Sequence, residues 1–394
     1  MSTTALNAGV VGYGRRSVRG IMGHVMLALV PGTIVYATLI DYRIILNVLV
    51  AIIAALCVEA VLLRLRQRAI LPLLCDGSIV LAAWLLALCV PPSLPAWQLI
   101  AGIVVMTGLG KHLYGGLGQN PFNPAMVAYA VLIVSFPVTM TDWQINVNGS
   151  EAAYDNAPTQ LPQLPEWDAI TGATPLDRLR QARSIIHRRT APEAPTQPGQ
   201  LASEPDTRKA PGHATTPLAE GSPLHALRKD MPEGPAAIPI TNPMAEYSRF
   251  ADAAIMRSPW KWVSLAWLAG GIYLLFAGII TWHIPASVLL TVAVLYLACG
   301  SVGTVPTIPL IPALLSGALM IGAFFIATDP VSAATSNTGK LIYGAGIGVF
   351  TFVIREYSVY PEGVAFAVLL MNICVPLLDY LFTRAVPTSD AGRK

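Results

Sequence analysis

The sequence predicts an all-α polytopic membrane protein with about ten transmembrane helices in two inverted five-helix repeats. Three observations carry that prediction. Hydrophobic residues make up 54% of the 394-residue chain and charged residues only 12%, far from the balance of a soluble domain. Apolar segments recur along the chain, each long enough to cross roughly 30 Å of hydrocarbon as a helix. One long polar stretch divides them five and five.

The first five segments cover about 20–40, 43–63, 77–92, 96–110 and 122–139. The second five cover about 260–282, 285–303, 308–328, 341–354 and 362–382. This gives a short N-terminus (1–19), a first membrane half (20–139), a polar segment (140–259), a second membrane half (260–382) and a C-terminal tail (383–394). Within the polar segment, Trp143, Tyr154 and Trp167 precede a stretch from Thr190 to about Thr241 rich in Pro, Ala, Thr, Glu and Gly. That composition buries too little apolar surface to offset ordering, so it reads as a flexible tether.

The basic residues orient the chain, because short cytoplasmic loops collect Lys and Arg. Arg15, Arg16 and Arg19 precede the first span, and Arg64, Arg66 and Arg68 follow the second. Lys111 follows the fourth, Lys340 precedes the ninth, and Arg384, Arg393 and Lys394 follow the tenth. The opposite short loops hold only Arg43 and Arg355. Both termini therefore read as cytoplasmic and the polar segment as external, and the first span, with no small-residue cleavage site, reads as a retained anchor. The five cysteines form no C-x-x-C pair, so no cluster, zinc site or disulfide framework is expected. Nothing points to nucleic acid, and the surrounding partner is membrane lipid.

A weak internal repeat links the halves. Pro124 to Leu132 aligns with Pro361 to Leu369, and Pro91 matches Pro330 at nearly the same offset. An odd number of spans between the copies turns them opposite ways, as in transporter folds with sites near the midplane. Chance likeness of two Ala/Val/Leu helices is the plainer alternative.

Two blocks carry the candidate chemistry. In the polar segment, Thr171-Gly172-Ala173-Thr174 follows Asp168 and continues as Pro175-Leu176-Asp177. A Thr hydroxyl accepts a phosphoester, and Gly172 and Ala173 leave room for a modifying enzyme; the same residues also suit an ordinary turn. The second block, Gly115 to Pro124, contains Gly118, Asn120 and Asn123. Its glycines allow close backbone approach and its amides offer donors and acceptors, although a helix-start turn with Asn caps accounts for it too.

These two blocks, with the ten spans and the interrupting loop, resemble the family of Rnf complex D subunits and, more distantly, Nqr B subunits, over nearly the whole chain. The resemblance implies FMN bound covalently to Thr174 as a phosphoester, with Thr171, Gly172, Ala173 and Asp168 forming the attachment motif. It places a second, non-covalent flavin, riboflavin, near Gly118, Asn120 and Asn123. It also implies a fold like that of urea and ammonium channels, iron–sulfur and flavin partner subunits, a flavin transferase, and a bacterial inner-membrane location with the flavin loop periplasmic. The activity implied is electron transfer between ferredoxin and NAD coupled to sodium or proton translocation, by a subunit that is not catalytic alone. Two departures stand out: Thr171 replaces the commoner Ser, and the Pro-rich tether is longer than usual. A solute channel of the urea or ammonium type, or a non-redox scaffold subunit, are the alternatives.

Intramembrane acids are costly to bury and so are candidates for an ion path. Asp329, Glu362 and Glu59 qualify, against interfacial solvation for the first two and a salt bridge to a neighbouring Arg for Glu59. Asp76 reads as a helix cap, His24 and His112 as interfacial residues, and Trp260, Trp262 and Trp282 as membrane-interface anchors. Tyr154 and Trp167 are candidates to stack on the isoalloxazine.

Overall fold

The structure is a computed structural model that describes residues 17–116, 118–143, 176, 251, 258–302, 308–358 and 362–382. Among these residues the secondary structure is helical, with no strand. In the first half α1 spans Val18–Leu39, α2 Arg43–Leu65, α3 Ile70–Leu74 and α4 Ser78–Cys89. Helix α5, Ala96–Val105, runs on as a π-helical turn over Met106–His112, and α6 (Pro124–Ser135) and α7 (Pro137–Thr141) complete the half. In the second half α8 spans Trp260–Phe276, α9 His283–Val302 and α10 Leu310–Leu315. Helix α11, Leu319–Ile321, continues as a π turn over Gly322–Ile326, followed by α12 (Asn337–Tyr357) and α13 (Val364–Phe382).

Among the described residues four helices are long and apolar enough to cross a membrane: Val18–Leu39, Arg43–Leu65, His283–Gly300 within α9, and Val364–Phe382. Helix α2 shows how sequence sets the faces. Ile44, Val48, Ala51, Ala55, Glu59 and Leu63 recur at helical spacing and are buried. Leu46, Leu49 and Ile53 lie outward and are more than half exposed, an apolar surface suited to lipid rather than water.

Local chemistry explains where the helices start and break. Ser17 Oγ accepts from Gly20 N at 3.2 Å, and Ser336 Oγ from Gly339 N at 3.0 Å, capping α1 and α12. The cap of α4 is Gly77, at φ +80°, where Asp76 was expected; Asp76 sits one residue earlier and accepts from Ser78 N at 2.7 Å, closing the turn that leads into the helix. Pro137 interrupts the segment expected at 122–139, separating α6 from α7. The segment expected as one span at 308–328 is broken after Leu315, where Gly317 takes φ +65°. Helix α12 starts earlier than its apolar stretch, because its first turn is polar and capped by Ser336.

The two halves meet across α1 and α8. Gly32 lies against the Trp267 ring and Gly270 against the Ala28 carbonyl, where any Cβ would collide. Small residues let helix backbones approach closely inside a membrane.

Candidate functional site

Among the described residues, two cavities open at opposite ends of the bundle. Helix α1 marks the separation: Met22 lines one and Tyr36 the other, about 21 Å apart at 1.5 Å per residue. Phe324 and Phe325 wall the first and Ile326 the second, so the π turn of α11 stands between them. Phe325 packs edge-on against Trp267 at 6.0 Å between centroids.

The cavity at the Tyr36 end encloses about 1060 Å³ including its open mouth. Its wall is largely aromatic and aliphatic, with Tyr36, Tyr129, Trp143, Trp260 and Trp267. Trp260 lies edge-on to both Tyr36 (5.4 Å) and Trp143 (5.8 Å). The Tyr36 hydroxyl and the Trp260 indole N–H are buried without a hydrogen-bond partner. A buried donor left without a partner is expensive, so the pair suits a ligand bearing acceptors.

The same cavity holds Leu176, which is only 4% exposed. Leu176 packs at the break between α10 and α11. Arg355 donates there to Ala313 O at 2.9 Å and Ser316 O at 3.1 Å, and Glu362 accepts from Ala318 N at 2.8 Å. Arg355 and Glu362 are themselves ion-paired at 3.1 Å. Glu362 thus satisfies a helix break instead of floating at an interface, and Arg355, expected in a loop, is 3% exposed in the last turn of α12.

Thr171, Gly172, Ala173, Thr174 and Asp168, with Tyr154 and Trp167, lie outside the described residues. Leu176 follows Thr174 by two residues in the chain.

The cavity at the Met22 end encloses about 840 Å³ including its mouth. Asn120, Asn123, Asp329, Lys111 and Ser78 form its polar side. Asn123 caps α6, accepting from Ala125 N at 3.0 Å, while its Nδ2 donates to Ile326 O at 3.2 Å. Asn120 Nδ2 donates to Phe122 O at 3.0 Å, but its Oδ1 is buried and unpartnered. Gly118 sits at φ +85°, a conformation that favours glycine. Asp329 closes its own turn on Ser332 N (3.1 Å) and Oγ (2.7 Å).

Behind this cavity Glu59 is 1% exposed and paired twice: Lys111 Nζ donates to Oε1 and His112 Nε2 to Oε2, each at 2.8 Å. The partner expected for Glu59, a neighbouring Arg, is replaced by these two residues. Lys111 and His112, expected in a loop and at the interface, are instead buried within the π turn. The reason is electrostatic: a carboxylate in the bundle is tolerable only with its charge matched nearby. Adjacent basic residues at the end of an apolar segment were the available signal. His24, by contrast, hydrogen-bonds Tyr273 Oη at 2.7 Å near the surface. Trp260, expected as an interface anchor, proves to be a cavity wall.

Residues 10–387 match the family described as NQR2, RnfD, RnfE. The D subunit of the ion-translocating oxidoreductase complex of Vibrio cholerae O395 is 38% identical over 380 residues, 93% of this chain and 94% of that protein. The D subunits of the same-named complex in Cronobacter sakazakii and Escherichia fergusonii are 39% identical over 373 residues and 36% over 376, covering 94% of this chain and 95% and 94% of those proteins. With helices suited to a bilayer and this match from near one end to the other, the chain belongs to the NQR2, RnfD, RnfE family.

Proposed function

We propose that this chain is the D-type membrane subunit of an Rnf-type ion-translocating oxidoreductase complex and carries FMN as a phosphoester on Thr174. The observation that carries the reading is the burial of Leu176, two residues beyond that threonine, in a cavity walled by aromatic rings. A planar isoalloxazine fits such walls, and the unpartnered Tyr36 hydroxyl and Trp260 N–H match its carbonyl edge. FMN, when bound, supplies one- and two-electron transfer. The chain's own residues do the rest: Leu176 fixes where the tether enters, Trp143 and Trp260 exclude water, and Arg355 with Glu362 holds the broken helix beneath it.

Electrons reach this end from partner iron–sulfur and flavin subunits, since this chain has no cluster-ligand spacing. The ferredoxin–NAD direction, the coupling to sodium or protons, and a flavin transferase follow from the family reading. A second, non-covalent flavin at the Asn120 cavity belongs to it as well. In the bacterial inner membrane both termini face the cytoplasm and the Thr174 loop the periplasm.

The two-repeat architecture is part of the reading. Arg43 and His283, Ile70 and Leu310, and Pro124 and Val364 open corresponding helices in the two halves, each pair 240 residues apart. This register lies three residues beyond the one expected from Pro124 and Pro361. Opposed repeats account for two cavities at opposite ends.

Mass mapping of the peptide containing Thr174, taken from the native complex, tests the reading. A peptide heavier by one FMN less water supports it. An unmodified peptide in the active complex overturns it.

A further inference from the structure

Helix α2 ends in a left-handed turn. Gln67 takes φ +53°, and among the described residues it is the one non-glycine with a positive φ. Gln67 N donates to Arg64 O and Arg68 N to Leu63 O, each at 3.0 Å, which satisfies the last carbonyls of the helix. Glycine is the usual residue at such a position, because a Cβ is unfavourable there. The turn brings two guanidiniums onto one loop: Arg66 Nη1 donates to His112 O at 2.8 Å and Arg68 Nη1 to Gly115 O at 3.2 Å. Arg64, also exposed, lies just before them. Among the described residues no carboxylate lies within ion-pair distance of Arg64, Arg66 or Arg68. The one acid of α2, Glu59, is already held by Lys111 and His112. Each guanidinium carries five N–H donors, and the loop takes only a few of them.

The same arginines terminate an apolar face. At 3.6 residues per turn, Leu46, Leu49, Ile53, Cys57, Val61 and Arg64 fall within about 60° of one line along α2. All six are exposed. A lipid-facing stripe thus runs into an arginine. From Ile53 to Arg64 the helix rises about 16 Å, half of a roughly 30 Å hydrocarbon core and so the reach of one leaflet's acyl chains. Leu65 beside Arg64, Leu71 on α3 and Leu113 on the loop that Arg66 holds are each at least 66% exposed and extend the apolar surface around the guanidiniums.

We propose that the arginine end of α2 binds the headgroup of an anionic phospholipid, with an acyl chain lying along Val61, Cys57 and Ile53. A guanidinium presents a planar fork of donors that matches phosphate oxygens two at a time. Charge selects the headgroup. A zwitterionic lipid brings its own ammonium to three uncompensated cations, whereas phosphatidylglycerol brings only negative charge. The stripe selects a lipid over a soluble acidic partner, which would leave Ile53, Cys57 and Val61 uncovered. Because Arg66 and Arg68 also hold the loop after the π turn, the bound lipid steadies that turn from outside the bundle.

The test uses the full chain in detergent, titrated with dioleoyl phosphatidylglycerol or with dioleoyl phosphatidylcholine, and native mass spectrometry to count bound lipid. Wild type is expected to hold one phosphatidylglycerol at least about tenfold more tightly than phosphatidylcholine, the scale of a few arginines at a membrane surface. Arg64→Gln/Arg68→Gln should bring the two lipids within about threefold, with the unfolding midpoint in lipid-free detergent unchanged because both side chains are exposed. Arg66 is left in place, since it supports His112. Arg64→Lys/Arg68→Lys keeps the charges and should keep most of the preference, which separates lost charge from a disturbed fold. Equal affinity for the two lipids in wild type, an undiminished preference in the glutamine variant, or a lysine variant no better than the glutamine one overturns the proposal. So does a preference seen in the full chain but absent from the purified complex, which would mean that a partner subunit covers the arginines.

Discussion

Leu176 and Gly317 share one notch: a Cβ added to Gly317 would lie 2.8 Å from Leu176 Cδ1 and would also strike the Glu362 carboxylate. The absence of a side chain at Gly317 is what lets Leu176 seat on the helix break, and Leu176 is the described residue closest in sequence to Thr174, the proposed attachment site.

Gly317→Ala is expected to lower stability by about 1–2 kcal/mol from its left-handed backbone alone, with displacement of Leu176 in addition. Iodide quenching of the native protein's flavin fluorescence should rise in parallel. Unchanged quenching and an unchanged thermal midpoint would show that the notch does not hold the loop.

Leu176→Asp should have the sharper effect on the loop. Burying a leucine is worth about 1.5–3 kcal/mol, and an aspartate cannot take its place among Trp and Ile side chains. Covalent flavin is expected at wild-type levels, with lower fluorescence anisotropy as the ring gains freedom. Anisotropy equal to wild type would mean that the seat does not confine the flavin.

How much of this was legible from the sequence depends on what each residue had to say locally. The membrane class followed from apolar runs, and the cap at Asn123 from residue type beside a helix start; at α4 the same cue pointed one residue early, to Asp76 instead of Gly77. The break at Gly317 was hidden, because an apolar run conceals a turn whose backbone groups are satisfied by Arg355 and Glu362, some forty residues further along. Lys111 and His112 were misplaced for a related reason. Their burial depends on Glu59, more than fifty residues earlier, and on a π turn that helical periodicity does not announce. The Asn120 cavity was partly legible: the amides were visible, but only the structure shows Asn123 spent on capping and Asn120 with an acceptor to spare.

Breaking the buried pair at the helix gap should cost more than removing it. Glu362→Ala leaves Arg355 unmatched and is expected to destabilise the chain by about 3–5 kcal/mol, whereas Arg355→Met with Glu362→Gln should recover part of that loss. Thermal unfolding in detergent reads the difference. A double variant no more stable than Glu362→Ala would contradict the electrostatic account.

The same logic applies to Glu59 and its two partners. A double-mutant cycle of Glu59→Gln and Lys111→Met should show non-additivity above about 0.5 kcal/mol, since the residues are in direct contact. Additive effects would mean that the pair at 2.8 Å contributes no coupling.

Flavin fluorescence of the denatured protein band, wild type against Thr174→Ala, each co-expressed with a flavin transferase, reads the proposed covalent link directly. A fluorescent wild-type band and a dark Thr174→Ala band are expected, with both proteins inserted in the membrane at similar levels. A fluorescent Thr174→Ala band, or a dark wild-type band from an active complex, would contradict that link.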